Sequence, residues 1–156
     1  MTTTVRVLAV CVALIGTLAG RPAFAQLEIG TWVRKATTAS QLEMTMTVEA
    51  CCNGGRRLTY RFRTGNTDTL MTLETKLDGT DAPVLVAGKP SGETMAIKRD
   101  DDHHVSSIIK MNGTVFATSK ATLSPDGKTL TVVTKNNGAA VGGAPAGDVT
   151  EVYVKQ

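Results

Sequence analysis

The sequence predicts an all-β protein whose antiparallel strands form an up-and-down meander, closed into a small barrel of about 8–10 strands. Three observations support this fold class. Thr, Val and Ile make up 36 of the 131 residues from position 26 onward, and β-branched side chains favour extended backbone. Apolar and polar residues alternate in several short segments, as in strands with one buried face. Dipeptides that favour tight turns separate these segments.

Residues 1–25 predict a signal peptide that is cleaved on export. The cation Arg6 precedes an uncharged apolar run over residues 7–18, and Ala23 and Ala25 place small residues before the expected cleavage point. Twelve apolar residues are too few to span a bilayer, so we expect no membrane span. The remaining chain, residues 26–156, is then a single domain located in the periplasm or outside the cell.

The charge of the mature chain is close to zero. Removal of Arg6 and Arg21 with the signal peptide leaves 15 basic and 14 acidic residues, a net charge of +1. A nucleic-acid partner is therefore not expected, since such partners select basic surfaces. The length suffices for one hydrophobic core and not for two, and we expect a monomer.

Strict alternation marks the strands most clearly between residues 42 and 48 and between residues 58 and 63. Leu58, Tyr60 and Phe62 share one face of the second of these segments. The same analysis along the chain predicts nine strands, at residues 27–33, 42–48, 58–63, 71–77, 94–99, 105–110, 115–123, 129–135 and 149–155.

Turn residues and loops separate the strands. Asp78-Gly79, Asn112-Gly113 and Asp126-Gly127 predict hairpin turns. Only residues 36–42 could hold a helical turn, so parallel βαβ units have no basis. Closure of the meander is favoured over a sandwich, since it removes exposed edges. Four glycines among residues 136–148 predict a mobile loop, either a plain connection or a flap over the barrel mouth.

The mature chain has two cysteines, the adjacent Cys51 and Cys52, followed by Asn53-Gly54-Gly55. Neighbouring side chains of an extended strand point to opposite faces, so a bond between them needs a turn. We expect two unpaired thiols, with a vicinal or an intermolecular disulfide as the alternatives.

The segment Gly30-Thr31-Trp32 and the cation Lys155 carry a resemblance to lipocalin-like (calycin) barrels. The chain also resembles small exported bacterial proteins of this type through several short segments. These are Asp78-Gly79, Asp81, Pro83-Val84, Ile97-Lys98-Arg99, residues 124–131 and residues 152–155. The resemblance implies a barrel in which Trp32 plugs the closed end and Lys155 stacks on it. It also implies an internal cavity, without naming a ligand.

Apolar side chains on the strands are candidates for the lining of that cavity. Met side chains adapt to varied apolar ligands, whereas in a small barrel such residues can equally fill the interior. The candidates are Met44, Met46, Leu58, Tyr60, Phe62, Met71 and Leu73.

Two charged segments suggest other roles. Arg57, Arg61 and Arg63 predict an outward cationic stripe, which protects a solvent face or meets an anionic partner. Arg61 could hold a ligand carboxylate beside Tyr60 only if the strand register were reversed. Residues 100–104 form an acidic loop ending in His103 and His104, which could bind a transition metal weakly.

No catalytic motif is present, and both histidines lie in this one loop, so we expect neither an enzyme nor a cofactor. The sequence as a whole predicts an exported lipocalin-like protein that binds a small apolar or amphipathic molecule. The alternatives are a filled barrel acting through its outer surface, by the Arg stripe or through a partner, and weak metal capture by residues 100–104.

Overall fold

The computed structural model describes residues 29–35, 43–137 and 147–156, which form ten antiparallel strands. The strands are β1 Gly30–Arg34, β2 Glu43–Cys51, β3 Gly55–Thr64, β4 Thr67–Thr75, β5 Asp78–Val86, β6 Lys89–Arg99, β7 His104–Met111, β8 Thr114–Leu123, β9 Thr129–Asn136 and β10 Gly147–Lys155.

Each strand pairs with the next strand of the sequence, and β1 pairs with β10 to close the barrel. The closing register places Trp32 opposite Lys155 on one side and opposite Met46 on the other. The predicted meander and its closure into a barrel are confirmed. None of the described residues lies in a helix long and apolar enough to cross a membrane.

The strand β5 has no counterpart among the nine strands predicted from the sequence. Asp78 and Gly79 begin this strand, and the chain reverses just before them, where Leu77 has a φ of 60°. The turn predicted at Asp78-Gly79 is therefore displaced by a few residues. Pro83, which disfavours a regular strand, lies at a register shift where β5 pairs irregularly with β6.

The other two predicted turns are present where the sequence placed them. Asn112 and Gly113 connect β7 to β8 with φ angles of 49° and 84°, the positive values that a tight hairpin requires. Between β8 and β9, the Gly127 amide donates to the Ser124 carbonyl over 2.9 Å.

Side chains that face inward divide the interior into a filled end and an open end. Trp32, Val48, Leu73 and Val84 are completely enclosed and fill the barrel where β1 begins and β10 finishes. All five even-numbered strands begin at the opposite end of the barrel, because each strand pairs antiparallel with its neighbours. Several of the residues that line the cavity described below lie near this end.

The expectation of two unpaired thiols is wrong, because Cys51 and Cys52 form a disulfide with each other. Cys52, Asn53 and Gly54 all have positive φ angles, so the chain turns sharply directly after Cys51. This turn removes the opposed orientation that neighbouring strand residues otherwise have.

Three predictions fall wholly or mainly outside the described residues. They are the signal peptide at residues 1–25, the helical turn at residues 36–42, and the loop at residues 136–148, of which residues 138–146 are not described.

Candidate functional site

A cavity of about 330 Å³ lies inside the barrel. Its volume falls at the lower end of the range found for small-molecule sites. Six of the seven residues predicted to line a cavity do so, namely Met44, Met46, Leu58, Tyr60, Phe62 and Met71. Leu73, the seventh, lies outside the lining and packs in the filled part of the core.

Strand alternation explains why these side chains face inward. In β3, Leu58, Tyr60 and Phe62 point into the barrel. The alternating residues Arg61 and Arg63 are exposed on the outer face. Further strands complete the wall with mainly apolar side chains. These are Met95, Ile97, Val105, Ile109, Phe116, Ala121, Leu130 and Val132.

Gly30, Trp32 and Lys155 meet at the filled end. Trp32 is 1% exposed, and Lys155 Nζ lies 5.8 Å from the centroid of its ring, within the range of a cation–π contact. A Cβ atom on Gly30 would lie 2.9 Å from Lys155 Cε. The glycine therefore leaves room for the Lys155 side chain to pass over β1 toward the indole.

A polar network occupies one side of the cavity. Arg34 Nη1 donates to Glu151 Oε1 over 2.7 Å, and the Tyr153 hydroxyl donates to Glu151 Oε2 over 3.1 Å. The same hydroxyl lies 3.8 Å from the sulfur of Met44. Burial and the nearby Glu151 charge raise the pKa of Tyr153, so this hydroxyl stays protonated and acts as a donor. Glu151 thus has partners at both oxygens.

A second carboxyl group, Glu93, faces the cavity from β6. Burial alone raises the pKa of Glu93, and among the described residues its carboxylate has neither a hydrogen bond nor an ion pair. The pKa of Tyr60 is raised by burial, then by the charges of Glu151 and Glu93. The Tyr60 hydroxyl likewise has no hydrogen-bond partner in the part of the chain that the structure describes.

Hydroxyl groups add to the polar side of the wall. Ser107 on β7 and Ser119 on β8 hydrogen-bond to each other, and both line the cavity. Thr134 lines it from β9. The cavity is thus apolar over most of its wall, with carboxyl and hydroxyl groups that can orient a polar part of a ligand.

The polar members of the lining were not predicted from the sequence. Glu93 precedes the predicted strand 94–99 by one residue, and only its parity with Met95 and Ile97 could have indicated that it faces inward. Glu151 lies in a predicted strand, where its parity with the apolar Tyr153 was the available signal.

The Arg stripe lies on the outer wall, as its register predicted. Arg57 donates to Glu74 over 3.0 and 2.6 Å, and Arg63 donates to Asp68 over 2.9 Å. The hydrogen bond from Arg63 lowers the pKa of Asp68. Neighbouring carboxylates on β4 thus offset two of the three positive charges. Because Arg61 is exposed, the carboxylate-holding role that needed the reversed register does not apply.

The loop with His103 and His104 is organised by Asp101. This carboxylate accepts the backbone N–H groups of both histidines, over 2.7 and 2.8 Å, and lies 2.8 Å from His104 Nδ1. These bonds lower the pKa of Asp101. Metal binding by His103 and His104 stays a prediction. In the described residues, the one group of three metal-type donors within 4.8 Å is Cys51, Cys52 and Glu74, in which the two sulfurs form the disulfide.

No protein-family model matches the sequence, and no curated protein sequence matches it. Among solved structures, the chain is similar to the crystal structure of a mutant of the fluorescent protein UnaG, at a TM-score of 0.58 and 11% identity. The match covers 83% of this chain and 96% of that chain. At this identity the similarity shows the fold alone, a closed antiparallel barrel, as the sequence predicted. The bacterial and exported parts of the predicted resemblance stay predictions.

Proposed function

We propose that the mature protein is an exported binding protein that holds a small, mainly apolar molecule inside its barrel. The single observation that carries the proposal is the cavity of about 330 Å³. A small barrel can fill its interior with side chains, and this one fills only the end that contains Trp32. The unfilled part of the barrel is lined in part by Met side chains, which adapt their shape to apolar ligands.

Binding without chemical conversion is part of the proposal. The cavity wall combines apolar side chains with two carboxyl and several hydroxyl groups, whereas both histidines lie in the exposed loop before and at the start of β7. Both histidine side chains are exposed and neither lines the cavity, so neither imidazole lies beside a ligand there. Export rests on the layout of residues 1–25, and the mass of the purified chain tests it.

The outer wall is the weaker alternative. Glu74 and Asp68 hold Arg57 and Arg63 in ion pairs, which reduces the attraction of this stripe for an anionic partner. The geometry of the loop of residues 100–104 is similarly explained by hydrogen bonds within the loop. A depression of about 500 Å³ does lie on the outer wall, lined by Arg57, Thr72, Leu73, Glu74, Pro83 and Leu85, but its two charged residues, Arg57 and Glu74, are paired with each other.

The proposal is tested by titration with a neutral apolar dye, N-phenyl-1-naphthylamine, whose fluorescence rises in apolar surroundings. We expect saturable binding by the native protein and at least about tenfold weaker binding by Ala121→Phe, which places a ring in the cavity. Thr118→Phe is the matched control, since Thr118 lies on the exposed face of the same strand. Equal dye binding by both variants and the native protein would show that the dye does not enter the barrel.

A further inference from the structure

We infer that the barrel selects ligands that carry a protonated amine on an apolar body, and that Glu93 receives the ammonium group. This inference rests on the proposed function and names the class of ligand. The charged groups that face the cavity, and the partners that each of them already has, support this assignment.

The described residues that face the cavity leave an excess of negative charge. Glu93 and Glu151 supply two carboxylates, and Arg34 supplies the guanidinium that is bound to Glu151. The arginines of β3 beyond Leu58 do not alter this balance, since Arg61 and Arg63 lie on the exposed face. Arg56 does face inward, but it lies at the filled end, where its Nη1 donates to the Gly55 carbonyl over 2.8 Å.

The Glu151 carboxylate already has hydrogen-bond donors within the protein, whereas the Glu93 carboxylate has none among the described residues. Both oxygens of Glu151 accept hydrogen bonds, from Arg34 and from Tyr153. Glu93 has no such partner among the described residues, although its backbone N–H is held by the Ser91 hydroxyl over 3.2 Å. A half-buried carboxylate without a partner is costly, and a ligand cation removes that cost by pairing with it.

Hydroxyl groups elsewhere on the cavity wall suit the same ligand. The Tyr60 side chain also lines the cavity, and its hydroxyl has no hydrogen-bond partner among the described residues, so it can contact a ligand atom. Ser107 and Ser119 line the wall formed by the two strands that follow β6. A ligand carboxylate would meet Glu93 with the same charge and would find no unpaired cation among the lining residues, so anionic ligands are disfavoured.

The test is a competition in which octylamine, octanol and octanoate displace N-phenyl-1-naphthylamine from the native protein at neutral pH. The three compounds share one apolar chain and differ in the charge of the head group. We expect octylamine to displace the dye at a concentration at least about tenfold below that of octanoate, with octanol between them, because a charge-assisted hydrogen bond is stronger than a neutral one.

Two variants locate the effect. Glu93→Gln keeps the shape of the side chain, and we expect it to abolish the advantage of octylamine over octanol. Glu43→Gln is the matched control, because it removes the same charge from the exposed face of β2 at the same end of the barrel. It should leave the advantage of octylamine intact.

Each outcome decides the inference. A native protein that binds octanoate as well as octylamine, or a Glu93→Gln variant that retains the amine preference, overturns it while leaving cavity binding established. A loss of the preference in Glu43→Gln as well as in Glu93→Gln would show a general charge effect and also overturns it. Failure of the dye and of all three compounds to bind instead overturns the proposed function itself.

Discussion

Replacement of Trp32 by Ala tests the plug at the filled end of the barrel. Trp32 is 1% exposed, and a Trp side chain buries about 200 Å². At about 25 cal/mol per Å², this burial contributes up to about 5 kcal/mol, and large-to-small changes in protein cores cost about 3–5 kcal/mol. We therefore expect Trp32→Ala to lower the free energy of unfolding by about 3–5 kcal/mol. This is a large part of the total stability of about 5–15 kcal/mol that is typical of a domain.

The assay is urea denaturation followed by far-UV circular dichroism, since the chain has one Trp and the variant loses the fluorescent reporter. Val33→Ala is the control, because Val33 is the next residue of β1 and its side chain is 37% exposed on the outer wall. It should cost no more than about 1 kcal/mol. A loss below about 1 kcal/mol in Trp32→Ala, or equal losses in the two variants, would refute the plug role.

Two further predictions concern the packing of Gly30 and the charge of Glu93. Gly30→Ala should reduce stability in the same urea assay, because the added Cβ would lie 2.9 Å from Lys155 Cε and would force that side chain to move. The φ of 147° at this position also disfavours residues other than glycine. Unchanged stability would contradict the close packing of Lys155 against Gly30. Because folding raises the pKa of Glu93, the folded state binds more protons, and this group lowers stability as the pH rises from about 4.5 through its raised pKa. Glu93→Gln should therefore raise Tm at pH 7 and leave it unchanged well below pH 4.5, and an equal effect at both pH values would contradict this origin.

The fold was predictable because its signals are local. The alternation in β2 and β3 fixes which side chains face inward, and the Asn112-Gly113 turn fixes where β7 and β8 reverse. The strand β5 was not predictable from these signals, because Pro83 and the irregular pairing with β6 interrupt its period. Pairing with the neighbouring strands compensates for its poor local preference.

The apolar half of the candidate site was predictable, and its polar half was not. Met44 and Tyr60 follow the period of their strands, so parity alone places them in the barrel. Glu93 breaks the rule that inward positions are apolar, and only the three-dimensional arrangement shows that it lines the same cavity as Tyr60. The space itself depends on how ten strands close, which is a property of the whole barrel and not of any segment.

The disulfide shows a related limit of local reasoning. Cys51 and Cys52 lie at the end of β2, and the strand pattern alone assigns their side chains to opposite faces. The sharp turn that joins them is set by the positive φ angles that follow. The glycines after the pair permitted this turn without requiring it.

Native mass spectrometry of the protein produced with its own residues 1–25 tests most directly whether the barrel holds a ligand. We expect a chain that begins at residue 26 and carries an additional small organic mass. That mass should be lost on denaturation and should be absent from Ala121→Phe while present in Thr118→Phe. An additional mass that Ala121→Phe retains, or a bare native mass from a protein that also fails to bind the neutral dye, would contradict ligand binding in the cavity.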